Sequence, residues 1–330
     1  MKGALATSTV IFGAFALCVE LCAQVPPSGS PPQPPEQGGF TLKVDVNLVL
    51  VEATVRDDKG RIVDNLKPED FHVFEDGVEQ RITYFSRDEL PLAVALVVDS
   101  SGSISPLLPE LHRAASETLS QLKPEDQVAL FAFATQPERL VDLTTDRSMI
   151  ADSLTGIGSA GGTDIADALY EAIDYLGQEA GGRRHAVIMI SDNQPTARGE
   201  HNGNDVIRLA LQTQTIVYSI RFGGDGLGGT LDDPGWIPGA RWVNKIMLDT
   251  GGEIIDMAAE GSAQKAMAAV IARLKERYTL GYRSSNPRQD RAFRRIDVRL
   301  SDRVQDAKHP YRVFARHGYY PAFESAPAGK

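Results

Sequence analysis

Cysteine is nearly absent from this sequence of 330 residues, which contains only Cys18 and Cys22, both close to its start. Their scarcity excludes a disulfide-stapled scaffold and a zinc site built on cysteine ligands. The six histidines are scattered, none forms an HExxH motif, and no P-loop motif GxxxxGK followed by Ser or Thr occurs. A basic excess is lacking too, because the formal net charge is −10. We therefore expect no nucleic-acid partner.

The negative charge is unevenly distributed along the chain. Residues 262–330 contain 15 Lys and Arg against 6 Asp and Glu, a net charge of +9, whereas the preceding residues carry −19. Two interpretations are open: solvated surfaces on different domains, or parts that attract each other or a partner. Four arginines near a C-terminal strand are likewise interpreted as a solvated strand face, with binding to an acidic surface as the alternative: Arg291, Arg294, Arg295 and Arg299.

The first 24 residues have the pattern of a signal peptide. Lys2 supplies a positive start, residues 3–19 are uncharged and mostly apolar, and Ala23 offers a small side chain for cleavage. The apolar stretch is short for a membrane span, which needs about 20 residues; a retained anchor is the alternative. We expect no stable membrane span after cleavage and an exported protein, located in the periplasm, the cell envelope or the medium. Residues 25–39 contain six prolines and predict an extended linker.

The rest of the chain divides into three parts and a short tail. Residues 40–90 alternate apolar and polar side chains around an Asp-Gly turn, which predicts a small β unit. In residues 91–277, buried strands alternate with amphipathic helices, as in a mostly parallel sheet covered by helices on both faces. Residues 278–320 return to strand patterns, and residues 321–330 form a tail. Because small β units are marginal alone, we predict an α/β domain inserted into one β-sandwich built from both flanks.

Local patterns predict the individual elements. The run LAVALVV at residues 92–98 is typical of a strand buried on both faces. Residues 106–122 and 163–176 carry apolar side chains at helical spacing. Residues 311–320 are predicted to form a single strand, and no element is assigned to residues 137–144.

Polar residues follow the ends of the buried strands. Asp99, Ser101 and Ser103 follow the strand at residues 92–98, Asp192 follows a strand that ends at position 191, and Thr163 opens a helix after two glycines. Ligands of open α/β sheets bind at the carboxyl ends of the strands. Oxygen ligands without His or Cys suit Mg²⁺, Mn²⁺ or Ca²⁺. The sequence therefore predicts a divalent-cation site at which two carboxylates neutralise the ion and leave room for an acidic group from a partner.

The same residues also fit simpler roles. The DxSxS run fits a turn before a helix, Thr163 fits an N-cap, and Asp192 fits a turn cap. Asp164 is interpreted as an acid in the first turn of a helix rather than as a ligand. A hydrolase nucleophile at Ser103 is not expected, because the surrounding residues do not form GxSxG and no histidine is placed to serve it. We therefore predict that the protein is not an enzyme.

Together these motifs resemble a known family. The DxSxS run, Thr163 within GGTD and Asp192 after a hydrophobic strand resemble the metal-ion-dependent adhesion site of von Willebrand factor type A domains. The strand VALFAFA and the helix that begins GGTDIADAL are similar to the same family, so the resemblance covers about residues 91–275. The flanks, with EDFxVxEDG before the domain and YxLGY and RxGYY after it, are similar to secreted bacterial "VWFA-related" proteins. The resemblance implies a Rossmann-like fold and protein binding through the metal.

Two functions are open. The first is an exported, metal-dependent protein-binding module for adhesion or assembly, in which an acidic side chain of a protein ligand completes the bound cation. The alternative is a structural or scaffold protein of the envelope, in which the ion only stabilises the fold. Mg²⁺ is the expected ion, with Mn²⁺ and Ca²⁺ as alternatives. A Gly-rich segment at residues 223–240 is interpreted as an insertion with Trp236 packed locally, or as a second ion site or partner contact.

Overall fold

The computed structural model describes most of the chain that follows the proline-rich region. The described residues are 48–87, 90–102, 104–158, 161–222, 241–288, 290–305 and 310–321. Several sequence predictions lie outside them: the signal peptide, the linker, residues 40–47 of the N-terminal β unit, Ser103, the segment 223–240 and residues 322–330 of the tail.

The first described part is the predicted β unit. Its strands are β1 (Leu48–Arg56), β2 (Phe71–Glu75), β3 (Val78–Gln80) and β4 (Ile82–Ser86). Strands β2 and β3 pair antiparallel through a turn at Asp76 and Gly77, whose φ angles are 49° and 84°. Positive φ at both central residues is typical of the turn that matches the twist of a hairpin, and Asp-Gly adopts it readily.

A six-stranded sheet forms the centre of the α/β part. Its strands are β5 (Leu92–Asp99), β6 (Gln127–Phe133), β7 (Pro137–Thr144), β8 (Arg184–Ser191), β9 (Ile216–Arg221) and β10 (Ile254–Asp256). Their order is β10-β9-β8-β5-β6-β7, and all pairs are parallel except β6 with β7. Every residue of β5 is buried, because alternate side chains enter the cores on the two faces of the sheet.

Helices cover both faces of this sheet. They are α1 (Leu108–Thr118), α2 (Arg147–Leu154), α3 (Ile165–Glu179), α4 (Gly203–Gln212), α5 (Arg241–Thr250), α6 (Met257–Glu260) and α7 (Ala263–Lys275). Helices α1, α2 and α7 share one apolar core with the sheet, and α3, α4 and α5 share the other. The helix predicted over residues 106–122 is α1 with a 3-10 turn at each end.

The strands after α7 return to the β unit. They are β11 (Tyr278–Arg283), β12 (Arg294–Leu300), β13 (Arg312–Ala315) and β14 (Gly318–Tyr319). Two antiparallel sheets result, with strand orders β13-β1-β11-β4 and β14-β12-β2-β3. Side chains from both sheets form one apolar core, which includes Val51, Leu280, Val73 and Ile296. The predicted fold is therefore confirmed: a mostly parallel α/β domain is inserted into a β-sandwich that both flanks build.

Three local predictions were incomplete. Residues 311–320 are not one strand, because β13 and β14 belong to different sheets of the sandwich and the chain crosses between them at Arg316 and His317. Residues 137–144 form the edge strand β7, which has a single buried residue and so lacks a clear apolar pattern. Arg294 does not lie on a solvated face, since it is buried and contacts Asp290 at 2.7 Å.

In the part of the chain that the structure describes, no helix has both the length and the apolar character needed to cross a membrane.

Candidate metal centre

Asp99 is the last residue of β5, the strand between β8 and β6 in the sheet. Its side chain is fully buried. One carboxylate oxygen, Oδ1, accepts a hydrogen bond of 2.9 Å from the backbone N–H of Ser101, and Oδ2 accepts one of 2.7 Å from the hydroxyl of Ser191. Both donors are uncharged, and no ion pair with Asp99 occurs within the described residues. A buried carboxylate without a cationic partner is costly, and a bound cation would offset that cost.

Asp192 lies beside Asp99 because their strands are neighbours. Strands β5 and β8 pair in parallel, with Val98 opposite Ile190, so both strands end at the same edge of the sheet. Asp192 directly follows β8, and its Oδ1 accepts a hydrogen bond of 2.9 Å from the backbone N–H of Gln194. The turn-cap contact considered from the sequence is therefore present, and a carboxylate has further lone pairs for a cation.

The loop after β8 is held by polar side chains that no sequence motif indicated. Asn193 has a φ of 60°, and its side-chain oxygen accepts a hydrogen bond of 2.8 Å from the hydroxyl of Ser219 on β9. Its backbone N–H donates to the hydroxyl of Ser191 at 3.1 Å. The signal that could have found Ser191 and Ser219 is a hydroxyl near the carboxyl end of an otherwise apolar strand.

Thr163 is fixed between two of the strand ends. Its backbone N–H donates to the hydroxyl of Thr196 at 2.9 Å, and its carbonyl accepts from the N–H groups of Thr196 and Ala197 at 3.0 and 3.1 Å. The next residue, Asp164, donates its N–H to the carbonyl of Ala134, just beyond β6, at 2.7 Å. Thr163 is almost fully buried and lies between the loops that follow β6 and β8.

The glycines before Thr163 allow this segment to lie close to Thr135, just beyond β6. Gly161 has a φ of +84°, and a Cβ atom there would lie 2.4 Å from the hydroxyl oxygen of Thr135. That hydroxyl also accepts a hydrogen bond of 3.0 Å from the backbone N–H of Gly162. A side chain at position 161 would both strain the backbone and displace Thr135.

Helix α3 begins at Ile165, two residues later than its sequence pattern suggested. Its N-cap is Asp164, whose Oδ1 accepts a hydrogen bond of 3.1 Å from the N–H of Asp167, so Thr163 is not the cap and Asp164 is not a first-turn acid. Burial raises the pKa of Asp164, and the charge of Asp167 raises it further. Burial also acts to raise the pKa of Asp167, but hydrogen bonds from Glu200 and His201 outweigh it and lower that pKa.

The predicted ligands in the described residues therefore share one edge of the sheet. Asp99 and Ser101 follow β5, and Asp192 follows β8. Thr163 is bonded to the loop after β8, and the next residue, Asp164, is bonded to the loop after β6. The described residues contain no group of three or more His, Cys, Asp and Glu side chains suited to a metal. The donors available here are two carboxylates with hydroxyls, a set that fits a hard divalent cation.

This architecture defines a class: a Rossmann-like α/β domain, carried by a β-sandwich, with polar residues at the carboxyl ends of its central strands. Residues 94–194 match the family model of the von Willebrand factor type A domain. This match confirms the resemblance of the α/β part to von Willebrand factor type A domains that was drawn from its motifs. The matched segment includes Asp99, Ser101, Thr163 and Asp192.

Several solved structures are similar to parts of this chain. An aerotolerance-related membrane protein from Bacteroides fragilis is 16% identical, with a TM-score of 0.43 over 56% of this chain and 98% of that chain. The conserved hypothetical protein BatB from Bacteroides thetaiotaomicron is 20% identical, with a TM-score of 0.41 over 56% of this chain and 98% of that one. The von Willebrand factor domain of a type V pilus tip protein from Porphyromonas gingivalis is 20% identical, with a TM-score of 0.30 over 34% of this chain and 40% of that one. No curated protein matches the chain.

Proposed function

We propose that this protein is an exported, metal-dependent protein-binding module that acts in adhesion or assembly. The observation that carries the proposal is the fully buried carboxylate of Asp99, which ends the strand between β8 and β6 and receives hydrogen bonds from uncharged donors. Asp192, at the end of the adjacent strand, supplies the second negative charge. Export rests on the signal-peptide pattern of residues 1–24.

The residues proposed to hold the cation are Asp99, Ser101, Ser103, Thr163 and Asp192. When bound, the ion, which we expect to be Mg²⁺, would supply a positive centre that attracts an acidic side chain of the protein ligand. The chain's own groups orient this set: the N–H of Ser101 and the hydroxyl of Ser191 hold the Asp99 carboxylate, and the N–H of Gln194 holds Asp192. Preset ligands reduce the ordering cost of binding a cation and its partner.

The proposal predicts that Mg²⁺ stabilises the protein and that Asp99→Asn abolishes this effect. At a concentration 100-fold above its dissociation constant, a ligand adds about 2.7 kcal/mol to the free energy of unfolding. For a protein of this size that corresponds to a rise in Tm of roughly 4–6 °C. Asp99→Asn keeps one oxygen to accept a hydrogen bond and removes the buried charge. Without metal, we therefore expect it to be at least as stable as the wild type.

The matched control is Asp152→Asn, the same change at an exposed carboxylate on α2. This variant should keep the full response to Mg²⁺. Thermal unfolding of all three proteins, with Mg²⁺ and with EDTA, measures the effect. An Asp99→Asn protein that Mg²⁺ stabilises as strongly as the wild type would show that the ion binds elsewhere.

The alternative function is a structural or scaffold protein of the envelope, in which the ion only stabilises the fold. The complete burial of Asp99 fits this alternative as well, because a cation there would compensate the buried charge whether or not a partner is present. Both functions predict stabilisation by Mg²⁺. A pull-down from the native envelope separates the two functions. The binding module is supported by a partner that is lost in EDTA and with Asp99→Asn but is retained with Asp152→Asn. A partner retained under all conditions supports the scaffold.

A further inference from the structure

A second candidate site lies at the opposite edge of the central sheet. A cavity of about 510 Å³ is bordered by β1, β4 and β11 of the sandwich and by the first residues of β8 and β9. We call this cavity the sandwich cleft. Asp99 ends β5, whereas Arg184 and Ile216 begin strands that run parallel to it, so the metal centre and the sandwich cleft are at opposite ends of the strands. The volume is in the range of about 300–1,000 Å³ that is typical of small-molecule sites.

The wall of the sandwich cleft is unusually apolar for an exposed surface. Leu48, Leu50, Tyr84 and Leu90 line it and are 40%, 36%, 46% and 57% exposed. They are half of the eight large hydrophobic side chains that are exposed in the described residues. Concentration of exposed apolar side chains around one concave surface is a mark of a binding site.

Positive charge is also concentrated in the sandwich cleft. Three arginines are among its lining residues, Arg183, Arg184 and Arg316, against one acidic residue, Glu52. Glu52 is already engaged, because its Oε1 lies 2.8 Å from Nε of Arg184. The lining therefore has an excess of two positive charges, which favours an anion.

Arg316 carries the strongest indication of a missing partner. It is 9% exposed, and its Nη2 donates a hydrogen bond of 2.6 Å to the carbonyl of Leu50. Its Nε and Nη1 are buried without an acceptor among the described residues. A buried guanidinium with unused N–H groups is costly, and the negative charge of an anion bound in the sandwich cleft would offset part of that cost.

We propose that the sandwich cleft binds a small anionic amphiphile, a carboxylate carried on an unbranched apolar chain. The carboxylate would lie towards the arginines, and the chain would cover the exposed leucines and Tyr84. This site is independent of the metal centre and of the function proposed for it.

Decanoate is a suitable probe, used below its micellar concentration with the full chain. Isothermal titration calorimetry should show saturable binding, and thermal unfolding should show a matching rise in Tm. Decanol has the same chain without the charge, and butyrate has the charge on a short chain. Each should bind at least about tenfold more weakly than decanoate if both features are recognised, a difference of about 1.4 kcal/mol.

Position 181 offers a matched pair of variants. Gly181 lines the sandwich cleft, is exposed, and has open space where a Cβ would lie. Gly181→Glu adds a negative charge beside the arginines and should weaken decanoate binding by about tenfold or more. Gly181→Gln has nearly the same shape without the charge and should stay within about threefold of the wild type. Neither substitution meets a neighbouring atom, so both proteins should fold.

The apolar contribution is tested in the same way. Leu90→Ser removes an exposed side chain of the cleft wall and should weaken decanoate binding, whereas Met149→Ser, at an exposed residue of α2, should not. Asp99→Asn and EDTA should leave decanoate binding unchanged, which separates this site from the metal centre.

Several results would overturn the proposal. Equal binding of decanoate and decanol would show that the charge is not recognised, and equal binding to the wild type and Gly181→Glu would place the ligand elsewhere. Failure of decanoate to bind would refute it directly. A dimer in size-exclusion chromatography that Gly181→Glu and Leu90→Ser abolish would assign the surface to a second copy of the chain instead.

Discussion

At the scale of single residues, buried and half-buried carboxylates act in different ways. Asp99 is fully buried and receives neutral donors, which leaves its charge for a cation. Asp249, on α5, is half-buried and already paired: it contacts Lys245, and its Oδ1 lies 3.4 Å from Nδ1 of His317 between β13 and β14. Both residues are aspartates, so their surroundings decide whether the carboxylate can bind a cation or instead stabilises the fold through an ion pair.

The environment of Asp249 predicts how the stability of the protein depends on pH. Burial acts to raise its pKa, but hydrogen bonds from His317 and Lys245 outweigh burial and lower the pKa below its ordinary value. The folded state therefore favours the ionised carboxylate, and its contribution to stability is present above the ordinary pKa of about 3.9 and is lost as the pH falls through the folded pKa. Between about pH 5 and pH 3, wild type should lose stability more steeply than Asp249→Asn. Urea midpoints across this range measure the difference, and parallel profiles would contradict the prediction.

At the scale of secondary-structure elements, the connection from α5 to β10 lies so close to β9 that only glycine fits at one of its positions. Gly252 lies between them, and its N–H donates a hydrogen bond of 2.8 Å to the carbonyl of Met247. A Cβ at this position would lie 1.9 Å from the carbonyl oxygen of Val217 on β9. Because the obstacle is backbone, it cannot rotate away as a side chain would.

Gly252→Ala should therefore destabilise the protein strongly. Overpacking against fixed atoms costs about 1–3 kcal/mol and occasionally more, and we expect the upper part of that range here. Gly158→Ala is the control, because a Cβ at that position meets no atom within 4 Å. It should change the free energy of unfolding by no more than about 0.5 kcal/mol. Urea unfolding compares the two variants, and similar midpoints would show that the backbone near Val217 can move aside.

At the scale of the whole molecule, buried ion pairs connect the sandwich to the α/β domain. Arg56 on β1 contacts Glu253, which is 8% exposed and also lies 3.3 Å from Nε of Arg273 on α7. Glu52, also on β1, contacts Arg184 at the start of β8. The described residues belong to one compact unit, and these pairs provide polar contacts between its two parts.

Removal of the Glu253 carboxylate should lower the free energy of unfolding, because two arginines lose the negative charge that they share. The expected loss for Glu253→Ala is about 3–5 kcal/mol, the range typical of a buried ion pair that loses one partner. Asp297→Ala is the control, since Asp297 pairs with Arg299 at the exposed surface of β12 and should cost at most about 1 kcal/mol. Denaturant unfolding measures both. A cost for Glu253→Ala no greater than that of the control would show that the arginines find other partners or water.

The sequence by itself determined the α/β class, the insertion between two β flanks and the order of the strand ends that carry Asp99, Thr163 and Asp192. These features are local or periodic: buried strands are continuous apolar runs, helices repeat their apolar residues, and polar residues must follow where a strand ends. Only the tertiary structure decided that Ser191 binds Asp99, that Asp164 rather than Thr163 caps α3, and that residues 311–320 divide between two sheets. It also brought Arg316, Leu50 and Leu90 together around the sandwich cleft. Such contacts join residues that are distant in the chain, and no local pattern of side chains encodes which of them meet.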